Sequence, residues 1–339
     1  MNRRKFLKAL GVGGAAVAAA PAGAAASAVH AAAKTGATTG TDGTGSISSR
    51  GEDLATLLDL SKCIGCGACV EACAEANAHK KPEPQGAIPR PRPHSRTRVE
   101  DWSGRRDVTD RLTPYNWLTI QTAEVQKDGE SLEVNIPRRC MHCVNPPCAD
   151  LCPFGAALKQ DNGIVRINEA ICLGGAKCRK VCPWGIPQRQ SGVGLYLDLL
   201  PEYAGNGVMY KCDRCYDRVA QGELPACIEA CPEGVQSIGP RSEIIARAKA
   251  LVAETGGFLY GLEEGGGTNT LYVSPVPFDV LNEAIAKGPG QPHLGPAEDV
   301  MARDESLATV VAAAPFMGLA AGLLTFVHGM KGGEGGHER

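Results

Sequence analysis

The chain has 339 residues, only 5 % of them aromatic, with glycine (42) and proline (23) plentiful. A formal charge of -2 gives no basic field for nucleic acid, and a mean hydropathy of -0.13 excludes a polytopic membrane protein. Fifteen cysteines are too sparse for a disulfide scaffold, and an odd number cannot pair completely within one chain.

The N-terminus reads Asn2-Arg3-Arg4-Lys5-Phe6-Leu7-Lys8, followed by an uncharged Ala/Gly-rich run to Ala33. The paired arginines followed by Phe-Leu-Lys resemble a twin-arginine export signal, predicted over residues 1–31 with cleavage near Ala31. A retained membrane anchor is the alternative, but Gly11, Gly13, Gly14 and the many alanines make a poor spanning helix. Gly11-Val-Gly13-Gly-Ala-Ala16 matches a dinucleotide fingerprint in form only, because no strand precedes it. Removing 1–31 takes away four cations and no acid, so the remaining chain is mildly acidic.

Residues 32–55 are Gly/Thr/Ser-rich and predict a flexible leader. A cysteine-bearing body follows over 56–240. Between Lys80 and Arg111 lie five prolines and nine Lys or Arg against five acids, too Pro-rich for a helix or a central strand. That segment is a solvated connection or a partner-docking surface. Alternation at Val134 and Ile136 after the Asp128-Gly129 turn signal, with Trp117 to Ile120 before it, predicts a hairpin over 116–136. Asp161-Asn162-Gly163 then introduces a strand from Ile164 to Ile167.

After the last cysteine an α/β extension is expected over 241–287, with a helix from Ser242 to Glu254 stopped by Gly256-Gly257 and a strand from Thr270 to Ser274. Residues 288–305 predict a linker, hinge-like from Gly288 to Pro296. Ser306 to Met330 is 25 residues without Asp, Glu, Lys or Arg, more than the roughly 20 needed to cross a bilayer. This predicts a transmembrane helix over 306–330, bent at Pro315, with a cytoplasmic tail at 331–339 whose Lys331 agrees with the positive-inside rule.

The internal repeat is cysteine spacing. Group one is Cys63, Cys66, Cys69 and Cys73, a C-x2-C-x2-C-x3-C run. Group two is Cys140, Cys143, Cys148 and Cys152-Pro153. Group three is Cys172, Cys178 and Cys182-Pro183, and group four is Cys212, Cys215, Cys227 and Cys231-Pro232. Three thiolates from one short turn, with a further cysteine separated from the last by three residues, suit a cubane iron–sulfur cluster. Zinc sites instead pair two separated C-x2-C knuckles, and disulfides between such close thiols would be strained. The fourth cysteine of each run is expected to start a helix, with its proline in the first turn. Twin-arginine export, which carries folded proteins, reconciles clusters with an oxidising destination.

The four groups in this order, with Lys211-Cys212-Asp-Arg-Cys215 and Pro225-Ala-Cys227-Ile-Glu-Ala-Cys231-Pro232, resemble the four-cluster ferredoxin-like electron-transfer subunits of respiratory membrane complexes. Together with the export signal, the Tyr260 to Thr268 and Val276 to Phe278 segments and the C-terminal membrane helix, the chain is similar to the iron–sulfur subunits of the periplasmic hydrogenase-2 type. It is also similar to those of the high-molecular-weight cytochrome complex of sulfate reducers.

The resemblance implies an α+β fold of two ferredoxin-like double-cluster modules with loop-rich insertions. Groups two and three form the inner module over 137–190, and groups one and four the outer. Exchange of fourth ligands within each module implies three 4Fe-4S sites. These are Cys63, Cys66, Cys69 with Cys231; Cys212, Cys215, Cys227 with Cys73; and Cys140, Cys143, Cys148 with Cys182. Cys73 departs from the pattern, being followed by Ala74 rather than Pro. The fourth site, Cys152, Cys172 and Cys178, lacks a ligand where Gly175 stands in the frame, which predicts a 3Fe-4S cluster; a 4Fe-4S cluster with a non-cysteine ligand, or an empty site, are the alternatives.

His142 is expected as a hydrogen-bond donor or surface residue rather than a metal ligand, and Trp184 as packing that shields a cluster. His328 is expected at the membrane interface. No nucleophile–base pair or P-loop is present, so the chain is expected to be a non-catalytic subunit. It would relay single electrons between a periplasmic hydrogenase or multihaem cytochrome c and a multi-spanning quinone-type membrane subunit. Two alternatives stay open, an electron-transfer subunit of a molybdopterin oxidoreductase and a zinc-stabilised structural adaptor.

Overall fold

The computed structural model describes residues 51–88, 99–199 and 207–302. The predicted export signal, most of the leader, the membrane helix at 306–330, His328 and the tail lie outside them. Among the described residues no helix is long and apolar enough to cross a membrane.

Leu54–Asp59 forms strand β1, buried along its whole length. Strands covered on both faces lose the polar alternation of a half-exposed strand, and here both covers are identifiable. β1 pairs in parallel with β10 (Thr270–Ser274) and antiparallel with β8 (Gln236–Pro240), and β9 (Phe258–Tyr260) completes the order β8-β1-β10-β9. On one face, Ala55, Leu57, Leu271 and Val273 pack against Ile244 and Ala248 of the helix Arg241–Thr255. That helix ends, as expected, at Gly256, whose φ of 66° is the left-handed cap that glycine adopts without a Cβ penalty. On the other face, Leu58 and Tyr272 enter the main core, which nine of the cysteines help to build.

The expected hairpin is present as β2 (Thr119–Lys127) and β3 (Glu130–Arg138), reversing at Asp128-Gly129. The Asp161-Asn162-Gly163 turn joins β4 (Ala157–Lys159) to β5 (Val165–Ile167), and β6 (Gln188–Gln190) pairs with β7 (Val208–Tyr210).

Three expectations change. β1 begins inside the predicted leader and pairs with a strand of the predicted C-terminal extension, so residues 54–55 and 241–287 belong to the same sheet as the cysteine-bearing body. Gly288 to Pro296 is not a free hinge. Gly290 accepts from the Leu112 amide at 2.7 Å, the His293 carbonyl accepts from Arg138 at 2.8 Å, and Leu294 is buried. Finally, the third cysteines, not the fourth, open helices. Cys69, Cys148, Cys178 and Cys227 are each the second residue of Ala68–Ala76, Pro147–Asp150, Lys177–Val181 and Ala226–Glu229. Cys152, Cys182 and Cys231 follow the ends of their helices, and the next residue, Pro153, Pro183 or Pro232, has no N–H with which to continue them.

Candidate functional site

Each cysteine group begins with the same turn. The residue two places after the first cysteine has positive φ in all four: Gly65 (69°), His142 (47°), Gly174 (60°) and Arg214 (55°). This bend turns the amide back onto the preceding sulfur. The His142 N–H donates to Cys140 Sγ at 3.5 Å and that of Arg214 to Cys212 Sγ at 3.4 Å, with Gly65 serving Cys63 and Gly174 serving Cys172 in the same way. Amides aimed at sulfur favour thiolate over thiol, as a cluster ligand requires.

The groups then come together across the chain in four sets. Cys63, Cys66 and Cys69 line one cavity together with Cys231. Cys73 lines a second with Cys212, Cys215 and Cys227. Cys143 lies in the electrostatic reach of Cys182, Cys148 and Cys140, making a third set. Cys172 and Cys178 both face Cys152, making a fourth. The sets adjoin in order: Cys69 interacts with Cys227, Cys212 with Cys140, and Cys148 with Cys178. Cys66 and its neighbour Ile64 are exposed, so the first set reaches the surface.

Gly175 occupies in the fourth set the place that Cys66 holds in the first. The 172–178 loop repeats the left-handed pattern of 63–69, with Gly174 matching Gly65 and Ala176 (54°) matching Gly67 (82°). The loop shape of a complete site is therefore retained where the thiol is missing.

The donor sets suit iron–sulfur clusters. Burial pushes Cys69 and Cys178 up to about 12 and Cys182 and Cys212 up to about 11, so four ionised thiols in one cavity need a cationic core to hold them. Among the described residues no three His, Cys, Asp or Glu side chains close in around a point as one ion demands. A polynuclear group fits this spacing better than zinc does.

Sequence reasoning missed the buried cations between the sets. Arg139 is fully buried and donates to Cys227 Sγ at 2.8 Å. Burial opposes its charge, but Cys227 and Cys212 more than compensate and raise its pKa. Arg214 clamps the Leu54 carbonyl, the Asn269 carbonyl and Thr270 Oγ1, and burial draws its pKa down to about 10. Lys211 is buried too, its charge disfavoured by burial but sustained by Cys140, Cys148 and Cys212. His142 is wholly buried rather than at the surface, and burial, with Arg214 and Lys211 close by, holds its pKa well below the ordinary value. The available signal was adjacency: Arg139, His142, Lys211 and Arg214 all lie within one or two residues of a cysteine. Trp184 is buried, as expected for a shield, and donates to the Tyr260 hydroxyl.

Two family profiles, both described as 4Fe-4S dicluster domains, match residues 62–156 and 133–241. The chain is 31 % identical over 318 residues to the hydrogenase-2 operon protein HybA of Escherichia coli O157:H7, covering 83 % of each. It is 34 % identical over 230 residues to the formate dehydrogenase-O iron-sulfur subunit of E. coli K12, covering 66 % of this chain and 67 % of that one. It is also 29 % identical over 219 residues to a sulfite dehydrogenase subunit of Allochromatium vinosum, with 60 % and 76 % covered.

Proposed function

The chain belongs to the ferredoxin-like iron–sulfur electron-transfer subunits built from 4Fe-4S dicluster domains, and we propose that it relays single electrons between a periplasmic redox partner and an integral membrane quinone-type subunit. The observation that supports this is the adjoining order of the four cysteine sets, in which thiols of successive sets interact electrostatically. In this reading Cys63, Cys66, Cys69 and Cys231 hold one 4Fe-4S cluster, Cys73, Cys212, Cys215 and Cys227 a second, and Cys140, Cys143, Cys148 and Cys182 a third. Cys152, Cys172 and Cys178 hold a 3Fe-4S cluster. When bound, the clusters supply one-electron carriers whose potentials respond to burial, hydrogen bonds and local charge.

The protein's own groups supply those influences. Turn amides donate to the first cysteine of each set, the Trp184, Gly185 and Ile186 amides donate to Cys182, and buried guanidinium and ammonium groups offset thiolate charge. A second proton-transfer or nucleophilic apparatus is not needed for this task.

The twin-arginine pattern and the uncharged run at 306–330 support a body on the periplasmic side of the inner membrane, held by one C-terminal helix. The length of the match to the hydrogenase-2 operon protein favours a hydrogenase as the external partner over a formate dehydrogenase-type one, and a multihaem cytochrome is the other candidate. Purification of the complex from membranes tests the proposal. Co-purification with a periplasmic oxidoreductase and a multi-spanning subunit, with visible absorbance that bleaches on dithionite addition, is expected. Isolation as a lone soluble chain without iron would overturn it.

A further inference from the structure

His142 and Lys211 lie on opposite sides of the boundary between the two modules. His142 belongs to the Cys140–Cys143 turn of the third site, and Lys211 immediately precedes Cys212 of the second. Each side chain nonetheless reaches across. The Val165 amide, an obligate donor, gives its proton to His142 Nδ1 at 3.0 Å. A neutral imidazole whose Nδ1 accepts carries its proton on Nε2. That nitrogen lies 4.0 Å from Cys212 Sγ, so the N–H faces a sulfur of the other module. In return, the Lys211 ammonium donates to the Val165 carbonyl and, at 3.0 Å, to the Cys212 carbonyl, and its charge interacts most strongly with the thiols of Cys140 and Cys148 and less with that of Cys212 on its own side. One peptide unit on each side of Val165 thus fixes both groups.

The backbone at His142 adds an independent observation. Two of the four equivalent turn positions are glycine, for which positive φ is free of Cβ strain; histidine there is uncommon and strained. A purely structural turn is served by Gly, as at 65 and 174. What glycine lacks is a side chain that spans from Val165 to Cys212. Like His142, Arg214 is a non-glycine at this turn position, but its guanidinium is spent on Leu54, Asn269 and Thr270 and serves the sheet instead.

We infer that His142 and Lys211 form a reciprocal bridge across the module boundary, each raising the reduction potential of the cluster site on the far side and so matching the two modules for electron transfer. A proton donor or a positive charge beside cluster sulfur stabilises the reduced, more negative state. His142 would act on the Cys73, Cys212, Cys215, Cys227 site and Lys211 on the Cys140, Cys143, Cys148, Cys182 site. The inference rests on the cluster assignment proposed above, and both residues are positioning residues with no direct role as ligands.

The test is an EPR-monitored redox titration of the purified complex carrying His142→Asn, Lys211→Met or Lys211→Arg. Asn tolerates positive φ but is too short to reach Cys212; Met keeps the length of Lys without its charge. Each of the first two variants is expected to lower one midpoint, a different one in each, by at least a tenfold change in the oxidised-to-reduced ratio at fixed potential, about 59 mV for one electron. Lys211→Arg is expected to leave the midpoints in place. Unshifted midpoints in both His142→Asn and Lys211→Met overturn the bridge, as does an equal shift in Lys211→Arg and Lys211→Met. If His142→Asn fails to assemble, the Lys211 pair decides alone. A wild-type protein without iron or any cluster EPR signal would instead overturn the cluster assignment itself.

Discussion

Nη1 of Arg139 donates to Sγ of Cys227 at 2.8 Å, where the first two cysteine sets adjoin. Its Nε and Nη2 have no hydrogen-bond partner among the described residues, which leaves the guanidinium committed to the thiols around it. A hydrogen bond involving a charged group is worth roughly 1.5–3 kcal/mol, one to two powers of ten in an equilibrium. For a one-electron couple that is about 60–120 mV. Arg139→Met should therefore lower the midpoint of the Cys227 site by an amount in that range, read by potentiometric titration, and Arg139→Lys should fall between the two.

Gly175 lends itself to a gain-of-ligand experiment. Its φ is not in the left-handed region, it is exposed, and a Cβ built there meets nothing within 4 Å, so cysteine fits without strain. Since the surrounding loop already has the shape of the complete 63–69 loop, Gly175→Cys should place a thiol where Cys66 stands in the first site. The 3Fe EPR signal expected of the oxidised wild type should disappear, and iron analysis should rise by one atom per chain. A variant with an unchanged 3Fe signal would refute the frame.

The Glu100 carboxylate links the Pro-rich segment to the fourth site. Arg179 grips both of its oxygens at 2.6 Å, and Arg189 bonds Oε1 at 2.7 Å while donating to the Gly174 carbonyl of the cysteine loop. Burial alone would raise the Glu100 pKa, but the two arginines outweigh it and hold the carboxyl below its ordinary value. A carboxylate with a depressed folded pKa stabilises fully above its unfolded value of about 4.3, and the contribution is lost as pH falls through the lower folded one. Because the pair is partly solvated, its worth is discounted to roughly 1 kcal/mol. Glu100→Gln should lower the unfolding free energy measured by urea titration by that amount at pH 7, and the difference from wild type should vanish in strong acid.

These cases separate what the sequence made legible from what it did not. Cysteine spacing carried the ligand groups, because tight turns impose local spacing, and Gly175 was visible as a break in that spacing. The helix from Arg241 and the two hairpin turns were visible because glycine caps and Asp-Gly turns are local signals. β1 was obscured because Leu54 and Ala55 adjoin a Gly-rich leader, and their burial comes from Leu271 and Ile244, some two hundred residues away. The buried charges were unreadable for a similar reason. Arg139 and Lys211 look like surface cations in sequence, and only the convergence of distant thiols makes their burial tolerable. The fourth cysteines were assigned to helix starts because proline favours a first turn, but it equally stops a preceding helix.

The backbone amide of Trp184 donates to Cys182, and its indole is buried. Its Nε1 donates to the Tyr260 hydroxyl at 2.8 Å, which in turn donates to the Gly295 carbonyl at 2.9 Å, so one hydroxyl joins the cysteine loop, the sheet and the segment that leads toward the predicted membrane helix. Tyr260→Phe would orphan a buried indole N–H and a carbonyl, a loss of roughly 1–3 kcal/mol for an unsatisfied buried group. Trp184→Phe removes the donor but also leaves a void, so it too should destabilise. If the indole and hydroxyl act as a unit, the double variant should be less destabilised than the sum of the singles, with a coupling of about 0.5–3 kcal/mol in a double-mutant cycle. The same variants report on shielding: Trp184→Phe should speed the loss of visible cluster absorbance in air, whereas Tyr260→Phe, which keeps the ring packed 5.1 Å from Phe278, should speed it less. Additive unfolding energies would mean that Trp184 and Tyr260 support the segment around Gly295 independently, and equal rates of bleaching would place the water barrier elsewhere.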